Sequence, residues 1–132
     1  MKIFVTGTSG FIGFTLALSL LKKGHKVHGF DSINKYYDVR LKYARNKILR
    51  KFDNFRFTKG LLENEKKLKN IIVKFKPDFI IHLAGINRTN NKEEFNLINS
   101  DLTKFICNEI AINIRKTKIK KPIIFSSSTQ AI

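Results

Sequence analysis

The sequence predicts an α/β fold in which one parallel sheet is covered by helices on both faces. Short apolar runs alternate with longer segments of helical periodicity along the chain, which is typical of β-α-β units. A glycine-rich turn joins the first of these runs to the first helical segment. A later run, at residues 79 to 83, reads as a central parallel strand. The predicted order of elements is therefore β-α-β-α-β-α-β-α-β.

The first half of the chain predicts three strands and two helices. Strands are expected at Lys2 to Thr6, Lys26 to Phe30 and Phe55 to Lys59, and helices at Phe11 to Lys23 and residues 38 to 52. The first helix ends at Gly24 and is apolar around most of its surface, as expected of a helix packed against a sheet. The second helix is basic, and its apolar residues lie at roughly helical spacing: Leu41, Ile48, Leu49 and Phe52.

The second half predicts two more helices and two more strands. Four residues follow the i, i+3, i+4, i+7 spacing of a one-faced helix that ends before Pro77, namely Leu68, Ile71, Ile72 and Phe75. Strands are expected at Phe79 to Leu83 and, after Pro122, at Ile123 to Phe125. Between them, a long helix from about Glu93 to Arg115 should direct four apolar residues inward: Leu102, Phe105, Ile106 and Ile110.

The composition is strongly basic. The 132 residues carry 26 Lys and Arg against 10 Asp and Glu, a net charge of +16, and 42% are hydrophobic, which is enough for one domain with a core. Clustered cations would favour binding to nucleic-acid phosphates. The lysines are spread over several segments, however, and Lys, Asn, Ile and Phe are frequent together, as a genome poor in G and C would produce. We therefore interpret the charge as solvated basic faces and expect no nucleic-acid partner.

Metal, disulfide and membrane functions are not indicated. Cys107 is the only cysteine, and the three histidines lack the spacing of metal ligands. Residues 3 to 21 carry no charge, but polar residues and glycines interrupt them, and the apolar part from about Phe11 to Leu21 is too short to span a bilayer. We expect a strand, a turn and a helix in this segment, no metal, no membrane span and a cytoplasmic location.

The turn after the first strand has the form Gly7-Thr8-Ser9-Gly10-Phe11-Ile12-Gly13. Glycine is required where a turn is tight, where backbone approaches a pyrophosphate and where a helix packs closely on a strand. The start of the following helix offers free N–H groups and a positive dipole end to phosphates. The turn therefore predicts a dinucleotide site on a Rossmann-type doubly wound sheet of order 3-2-1-4-5. Its cofactor-binding residues would be Gly7, Ser9, Gly10, Phe11, Ile12 and Gly13.

Asp31 predicts which dinucleotide is bound. It follows the second strand and lies 18 residues beyond Gly13 (31 − 13 = 18), close to the distance of about 20 typical of the carboxylate that binds the adenosine ribose. A carboxylate there accepts hydrogen bonds from both ribose hydroxyls and repels a 2′-phosphate, which favours NAD over NADP. Lys35 and Arg40 lie near enough in sequence to contact a phosphate, so NADP is kept as the alternative.

Taken together, the motifs resemble those of the extended short-chain dehydrogenases/reductases, the NAD-dependent epimerase/dehydratase family. The Thr-Gly-x-x-Gly-Phe-Ile-Gly form, with glycines three apart, looks like that family, and further segments follow in the right order. The stretch from Phe30 to Val39 is similar to UDP-glucuronate 4-epimerases. Residues 85–88 and the serine run at residues 126–128 are more similar to reductases of nucleotide-linked 4-keto-sugars used in capsule synthesis. The choice between epimerase and reductase therefore stays open.

The resemblance implies roles for the remaining motif residues. The His82-Leu83-Ala84-Gly85 segment would lay its backbone along the cofactor at Leu83, Ala84 and Gly85, and Asn99 would support the cofactor site. Ser126 would contact the cofactor, and Ser128 would be the catalytic serine, hydrogen-bonded to the C4 oxygen of the sugar. The implied reaction is hydride transfer between nicotinamide C4 and C4 of a nucleotide sugar.

One segment departs from the family pattern. Gly60-Leu61-Leu62 stands where the family has a Gly-Asp pair followed by an aliphatic residue, with the Asp bonded to the adenine amino group. Leu61 cannot make that bond, so adenine recognition would rest on backbone and packing at Leu62. The loss should weaken binding by about 1 kcal/mol, the usual net contribution of one hydrogen bond.

A second departure concerns the extent of the chain. The family's catalytic Tyr-x-x-x-Lys pair follows the serine run, and the sequence ends at Ile132. Tyr43 and Lys47 have the same spacing, but they follow the second strand, where we interpret them as a surface helix pair. We therefore expect residues 1–132 to be the N-terminal, NAD(P)-binding part of a truncated domain, with the substrate-binding C-terminal part absent. A non-catalytic dinucleotide-binding module is the alternative, and a homodimer or an assembly with the missing part is left open.

Overall fold

Strands and helices alternate along the chain in the computed structural model, which describes residues 1–35, 38–86, 90–117 and 123–125. The strands are β1 (Lys2–Thr6), β2 (Lys26–Asp31), β3 (Phe55–Lys59), β4 (Phe79–His82) and β5 (Ile123–Phe125). The α-helices are α1 (Phe11–Lys22), α2 (Val39–Leu49), α3 (Glu65–Phe75), α4 (Lys92–Asn96) and α5 (Leu102–Thr117). A π-helical turn, Leu97–Asp101, joins α4 to α5.

The five strands form one parallel sheet in the order β3-β2-β1-β4-β5. This confirms the predicted fold class and strand order. The last residue of β1, Thr6, pairs with Phe30 on one side and His82 on the other. Because the strands are parallel, their carboxyl ends meet at one edge of the sheet. The order reverses between β1 and β4, and such a switch point is where open α/β sheets bind ligands.

Alternate residues of the central strands form separate cores on the two faces. Phe4, Phe30 and Ile80 pack with residues of α3 and α5 on one face. On the other face, Val5 and Val27 pack with residues of α1 and α2. Coverage of both faces explains why residues 3–5 of β1 and 79–81 of β4 are continuous apolar runs rather than alternating with polar residues.

Side chains fix the starts of three helices. Asp38, Asn64 and Asn91 each accept a backbone N–H of the first turn of α2, α3 and α4, as N-cap residues do. At the other end of α3, Lys76 has a φ of 50° and precedes Pro77, so the helix ends where the sequence predicted. No helix in the described part of the chain is long and apolar enough to cross a membrane.

The apolar residues of α2 are only partly buried. Leu41 and Ile48 are exposed at 48% and 42%, and the helix buries Lys42 and Asn46 beside Leu49. The ammonium group of Lys42 donates hydrogen bonds to Asn34, at 3.0 Å to its carbonyl and 2.7 Å to its side-chain oxygen. The buried face of α2 therefore includes a polar contact with the loop after β2.

The long helix predicted from about Glu93 to Arg115 is present but interrupted. The π-helical turn separates α4 from α5, and π-helical turns widen a helix locally and recur at functional sites. Leu102 and Ile106 are buried as predicted, and Phe105 packs against the same core. The side chain of Ile110 lies outside the described part of the chain.

Candidate functional site

Segments that follow β1, β2 and β4 meet at the carboxyl edge of the sheet. They are the glycine loop (residues 7–13), Asp31 at the end of β2, and residues 83–86 after β4. The glycine loop lies in the middle because β1 is flanked by β2 and β4. The structure therefore brings together most of the residues that the motifs singled out.

Close backbone contacts require glycine at both ends of the loop. Gly7 has a φ of 78°, and a Cβ atom there would lie 2.9 Å from the amide nitrogen of Ala84 and 3.0 Å from the carbonyl carbon of Leu83. A Cβ atom on Gly13 would lie 2.7 Å from the carbonyl carbon of Gly7. These separations are too short for any side chain. The loop thus packs against the segment after β4 on one side and against the start of α1 on the other.

The N-terminus of α1 is open. Gly10 is its N-cap, and among the described residues no side chain caps the helix, whose first turn carries no acidic group. The amides of Phe11, Ile12 and Gly13 have no carbonyl four residues back within the helix, so they are free to bind a ligand. The side chains of Phe11 and Ile12 are 76% and 64% exposed. Such a helix start is suited to binding an anion.

Asp31 ties the glycine loop to β2. Its Oδ2 atom accepts the Ser9 N–H at 2.9 Å, and its Oδ1 atom accepts the Ile33 N–H at 2.8 Å. The side chain is buried, as only 9% of the residue is exposed. Each carboxylate oxygen can accept a further hydrogen bond, so two ribose hydroxyls could still be bound. The loop-bracing role was missing from the sequence-based prediction, because nothing in the motif indicates it.

Lys35 and Arg40, the two cations for which NADP was kept as the alternative, have different surroundings. Arg40 is paired with Asp38 through two hydrogen bonds, at 3.2 Å from Nε and 3.0 Å from Nη2. These bonds lower the pKa of Asp38 below its usual value. Lys35 is exposed.

A third cation, Arg45 on α2, contacts the glycine loop itself: its Nη1 atom donates to the Ser9 carbonyl at 3.1 Å. Sequence analysis missed it, because only the fold brings α2 beside the loop.

Thr6 joins the end of β1 to the end of β4. Its hydroxyl oxygen accepts the Leu83 and Ala84 N–H groups at 3.2 and 3.1 Å and lies 2.7 Å from Nδ1 of His82. Since both lone pairs of the hydroxyl are used, its hydrogen must point to Nδ1, which makes the imidazole a neutral ring protonated at Nε2. Burial lowers the pKa of His82 from 6.5 to about 4, which agrees with a neutral ring.

Asn99 fixes the segment that follows Ala84. From the π-helical turn, its Oδ1 atom accepts the Ile86 N–H at 3.0 Å and its Nδ2 atom donates to the Ile86 carbonyl at 2.7 Å. Gly85 makes room for this clamp, because a Cβ atom there would lie 2.7 Å from Oδ1 of Asn99. Asn99 thus fixes Ile86, directly after the predicted contact residues, and Thr6 fixes Leu83 and Ala84 before it.

One of the remaining predicted residues lies apart from this arrangement, and two fall outside the described part of the chain. Leu62 is 8% exposed and packs in the core with Phe30 and Leu68, whereas Leu61 is 60% exposed. Only the backbone and edge of Leu62 are therefore available to a ligand. Ser126 and Ser128 lie outside the described part of the chain. Among the described residues, no group of three or more His, Cys, Asp or Glu side chains could hold a metal ion.

A separate groove lies between α3 and the edge of the sheet. It has a volume of about 590 Å³, and its lining includes His28, Thr58, Asn70 and Lys74. None of the predicted site residues in the described part of the chain lines it. Burial, with the nearby charge of Arg56 adding to it, lowers the pKa of His28. This groove is therefore a second place, away from the glycine loop, where a ligand could bind.

Known proteins resemble this chain in sequence and in fold. A family model described as GDP-mannose 4,6 dehydratase matches residues 4–121. Protein CapI of Staphylococcus aureus is 50% identical over 85 residues, and a probable UDP-glucuronate 4-epimerase of Rhizobium meliloti is 43% identical over 85 residues. Each alignment covers 64% of this chain and 25% of the relative. The chain thus spans about a quarter of the length of these two relatives.

The solved structures agree. The UDP-glucuronic acid 4-epimerase of Bacillus cereus, in complex with UDP-glucuronic acid and NAD, matches 98% of this chain and 40% of its own, with a TM-score of 0.82 and 26% identity. The family predicted from the motifs is confirmed by the family model and these relatives. The chain belongs to the GDP-mannose 4,6 dehydratase family, within the extended short-chain dehydrogenases that comprise the NAD-dependent epimerases and dehydratases.

Proposed function

We propose that this chain binds NAD and forms the dinucleotide-binding part of an enzyme that acts on C4 of a nucleotide sugar. The observation that carries the proposal is the arrangement at the switch point, where Gly7 lies against Ala84 and the open N-terminus of α1 carries the exposed residues Phe11 and Ile12. Relatives named as UDP-glucuronate 4-epimerases, and an epimerase structure with NAD and UDP-glucuronic acid, support it.

The residues present fit a dinucleotide laid across β1. The diphosphate would lie on the first-turn amides of α1, since these have no partner within the helix. The adenosine ribose would lie on the β2 side, where Asp31 has two oxygens with spare acceptor capacity. The nicotinamide half would lie on the β4 side, along Leu83, Ala84 and Gly85, whose backbone Thr6 and Asn99 hold in place. The bound cofactor supplies the hydride-transfer chemistry.

NAD is the preferred dinucleotide in this proposal. The buried carboxylate of Asp31 would lie within contact distance of a 2′-phosphate and repel it. Arg40, one of the cations that left NADP open, is already paired with Asp38. We expect NAD+ to bind about tenfold or more tightly than NADP+, which corresponds to a difference of about 1.4 kcal/mol.

The substrate-side roles rest on the sequence motif. We assign Ser126 to contact with the cofactor and Ser128 to a hydrogen bond with the C4 oxygen of the sugar, because the serine run directly follows β5 in the sequence and the carboxyl end of β5 lies at the same edge of the sheet. Residues 1–132 would then form the NAD-binding part of the domain, and the rest of the substrate site would come from chain beyond it.

Calorimetric titration with NAD+ tests the proposal. The variant Ile12→Glu places a carboxylate on an exposed residue of the first turn of α1, where it suits the helix dipole but repels a diphosphate. Its matched control is Ser19→Glu, also exposed, about 11 Å further along the same helix by the helical rise. We expect saturable binding that Ile12→Glu weakens about tenfold and Ser19→Glu leaves within about twofold.

Two outcomes would count against the proposal. If the folded wild-type chain binds neither NAD+ nor NADP+, the dinucleotide function is wrong. If it binds NAD+ but the two glutamate variants weaken binding equally, the diphosphate does not lie at the start of α1. In that case the orientation across β1 must be abandoned.

A further inference from the structure

We infer that Arg45 is a positioning residue that holds the glycine loop in its binding shape from the neighbouring helix. Arg45 lies in the middle of α2, and its Nη1 atom donates to the carbonyl oxygen of Ser9 at 3.1 Å. No family motif identified in the sequence includes this residue. The inference rests on the proposed function, since the shape in question is the one that would receive the diphosphate.

The contacts of Ser9 show why such a hold is needed. Its N–H donates to Asp31 and its carbonyl accepts from Arg45, so these two side chains hold its backbone from β2 and α2. Its own hydroxyl is buried and makes no hydrogen bond within the described part of the chain. The loop also contains Gly7 and Gly10, and glycine adds conformational freedom. External contacts must therefore supply the order.

The bond from Arg45 acts on a peptide unit that matters. The Ser9 carbonyl and the Gly10 N–H belong to one planar peptide group, and the Gly10 N–H donates to the Gly7 carbonyl at 3.0 Å. Holding the carbonyl therefore fixes the direction of that N–H. Gly10 is also the N-cap of α1. Rotation of this peptide would change both the turn and the orientation of the free amides in the first helical turn.

Arginine suits the position better than lysine. The guanidinium carbon lies 6.0 Å from the ring centroids of both Phe11 and Phe14. A planar guanidinium can interact with aromatic rings while its N–H groups donate to a carbonyl. The two phenylalanines lie in the first turn of α1 and thus connect Arg45 to the helix start as well as to the loop. Lysine would keep the charge and a donor, but not the planar contact.

The test compares Arg45→Met, Arg45→Lys and a control, Arg50→Met. Arg50 lies at the end of the same helix, bonds to Asn46 and stands 5.4 Å from the Phe57 ring centroid. It thus makes the same kinds of contact away from the glycine loop. The first readout is hydrogen exchange of the Gly10 amide without ligand, with the Val5 amide in β1 as the measure of global opening. The second readout is the dissociation constant for NAD+.

In Arg45→Met we expect Gly10 exchange to accelerate and NAD+ to bind about five- to tenfold more weakly, the equivalent of one net hydrogen bond. Arg45→Lys should recover part of both losses. Arg50→Met should leave both readouts near wild type once Gly10 exchange is compared, in each variant, with Val5 exchange, which reports any change in global stability. The inference is overturned if Gly10 exchange is the same in wild type and Arg45→Met, or if Arg50→Met changes it equally. If the wild type binds no NAD+, the proposed function fails, and Gly10 exchange alone still decides whether Arg45 holds the loop.

Discussion

Replacement of Thr6 by valine tests how the ends of β1 and β4 are joined. Thr6 is fully buried, and valine has nearly its shape without the hydroxyl. The variant would leave three polar groups without their partner: the amides of Leu83 and Ala84 and Nδ1 of His82. At about 1 kcal/mol for each group, the free energy of unfolding should fall by about 3 kcal/mol. Because valine has a high preference for β-strands, the strand propensity at this position should offset part of this loss.

Serine provides the matched control at the same position. Thr6→Ser keeps the hydroxyl and removes one buried methyl group, which should cost about 1 kcal/mol. Urea unfolding monitored by circular dichroism measures both variants, and equal m-values would show that the denatured state is unchanged. We expect the free energy of unfolding to decrease in the order wild type, Thr6→Ser, Thr6→Val. If the valine variant is as stable as the serine variant, the hydroxyl does not join the two strand ends and this reasoning is refuted.

Three further changes test other parts of the site. Since burial lowers the pKa of His82 to about 4, the unfolded chain binds more protons than the folded chain between pH 6.5 and 4. Stability should therefore fall by about 3 kcal/mol as the pH decreases through that window, and His82→Asn should flatten the slope of unfolding free energy against pH. Asn99→Asp would set a carboxylate against the Ile86 carbonyl in place of a donor, which should weaken NAD+ binding severalfold in calorimetry and destabilise the fold by about 1–2 kcal/mol. Gly13→Ala should lower the thermal midpoint more than Gly24→Ala, because a methyl group at Gly13 meets the backbone of Gly7, whereas at Gly24 it meets nothing within 4 Å and only the φ of 80° opposes it. Equal effects of the two alanines would contradict the close packing of the loop.

The parts of the fold that follow from local chemistry could be predicted from the sequence. Glycine at residues 7 and 13 indicates backbone contacts that admit no side chain, and the structure has those contacts. The apolar strands and the one-faced pattern of α3 likewise indicate burial, because water is excluded from both faces of the sheet. The strand order followed from the Rossmann-type pattern and is confirmed.

The contacts that depend on the assembled fold could not be predicted. Arg45 reaches Ser9 across 36 residues of sequence, and Thr6 reaches His82 across 76. The polar face of α2 depends on Lys42 meeting the loop after β2. No periodicity or characteristic spacing in the sequence indicates any of these contacts. Sequence reasoning therefore found the residues that would face the ligand more readily than the residues that hold them in place.

An amide correlation spectrum of the labelled chain, recorded during titration with NAD+, tests the central claim most directly. The account predicts saturable shifts in the glycine loop (residues 7–13), at Ile33 beside Asp31, and in residues 83–86. It also predicts that the amides of His28, Thr58 and Asn70 in the groove beside α3 do not move. Shifts confined to that groove, or a spectrum that NAD+ leaves unchanged, would contradict the assignment of a dinucleotide site to the switch point between β1 and β4.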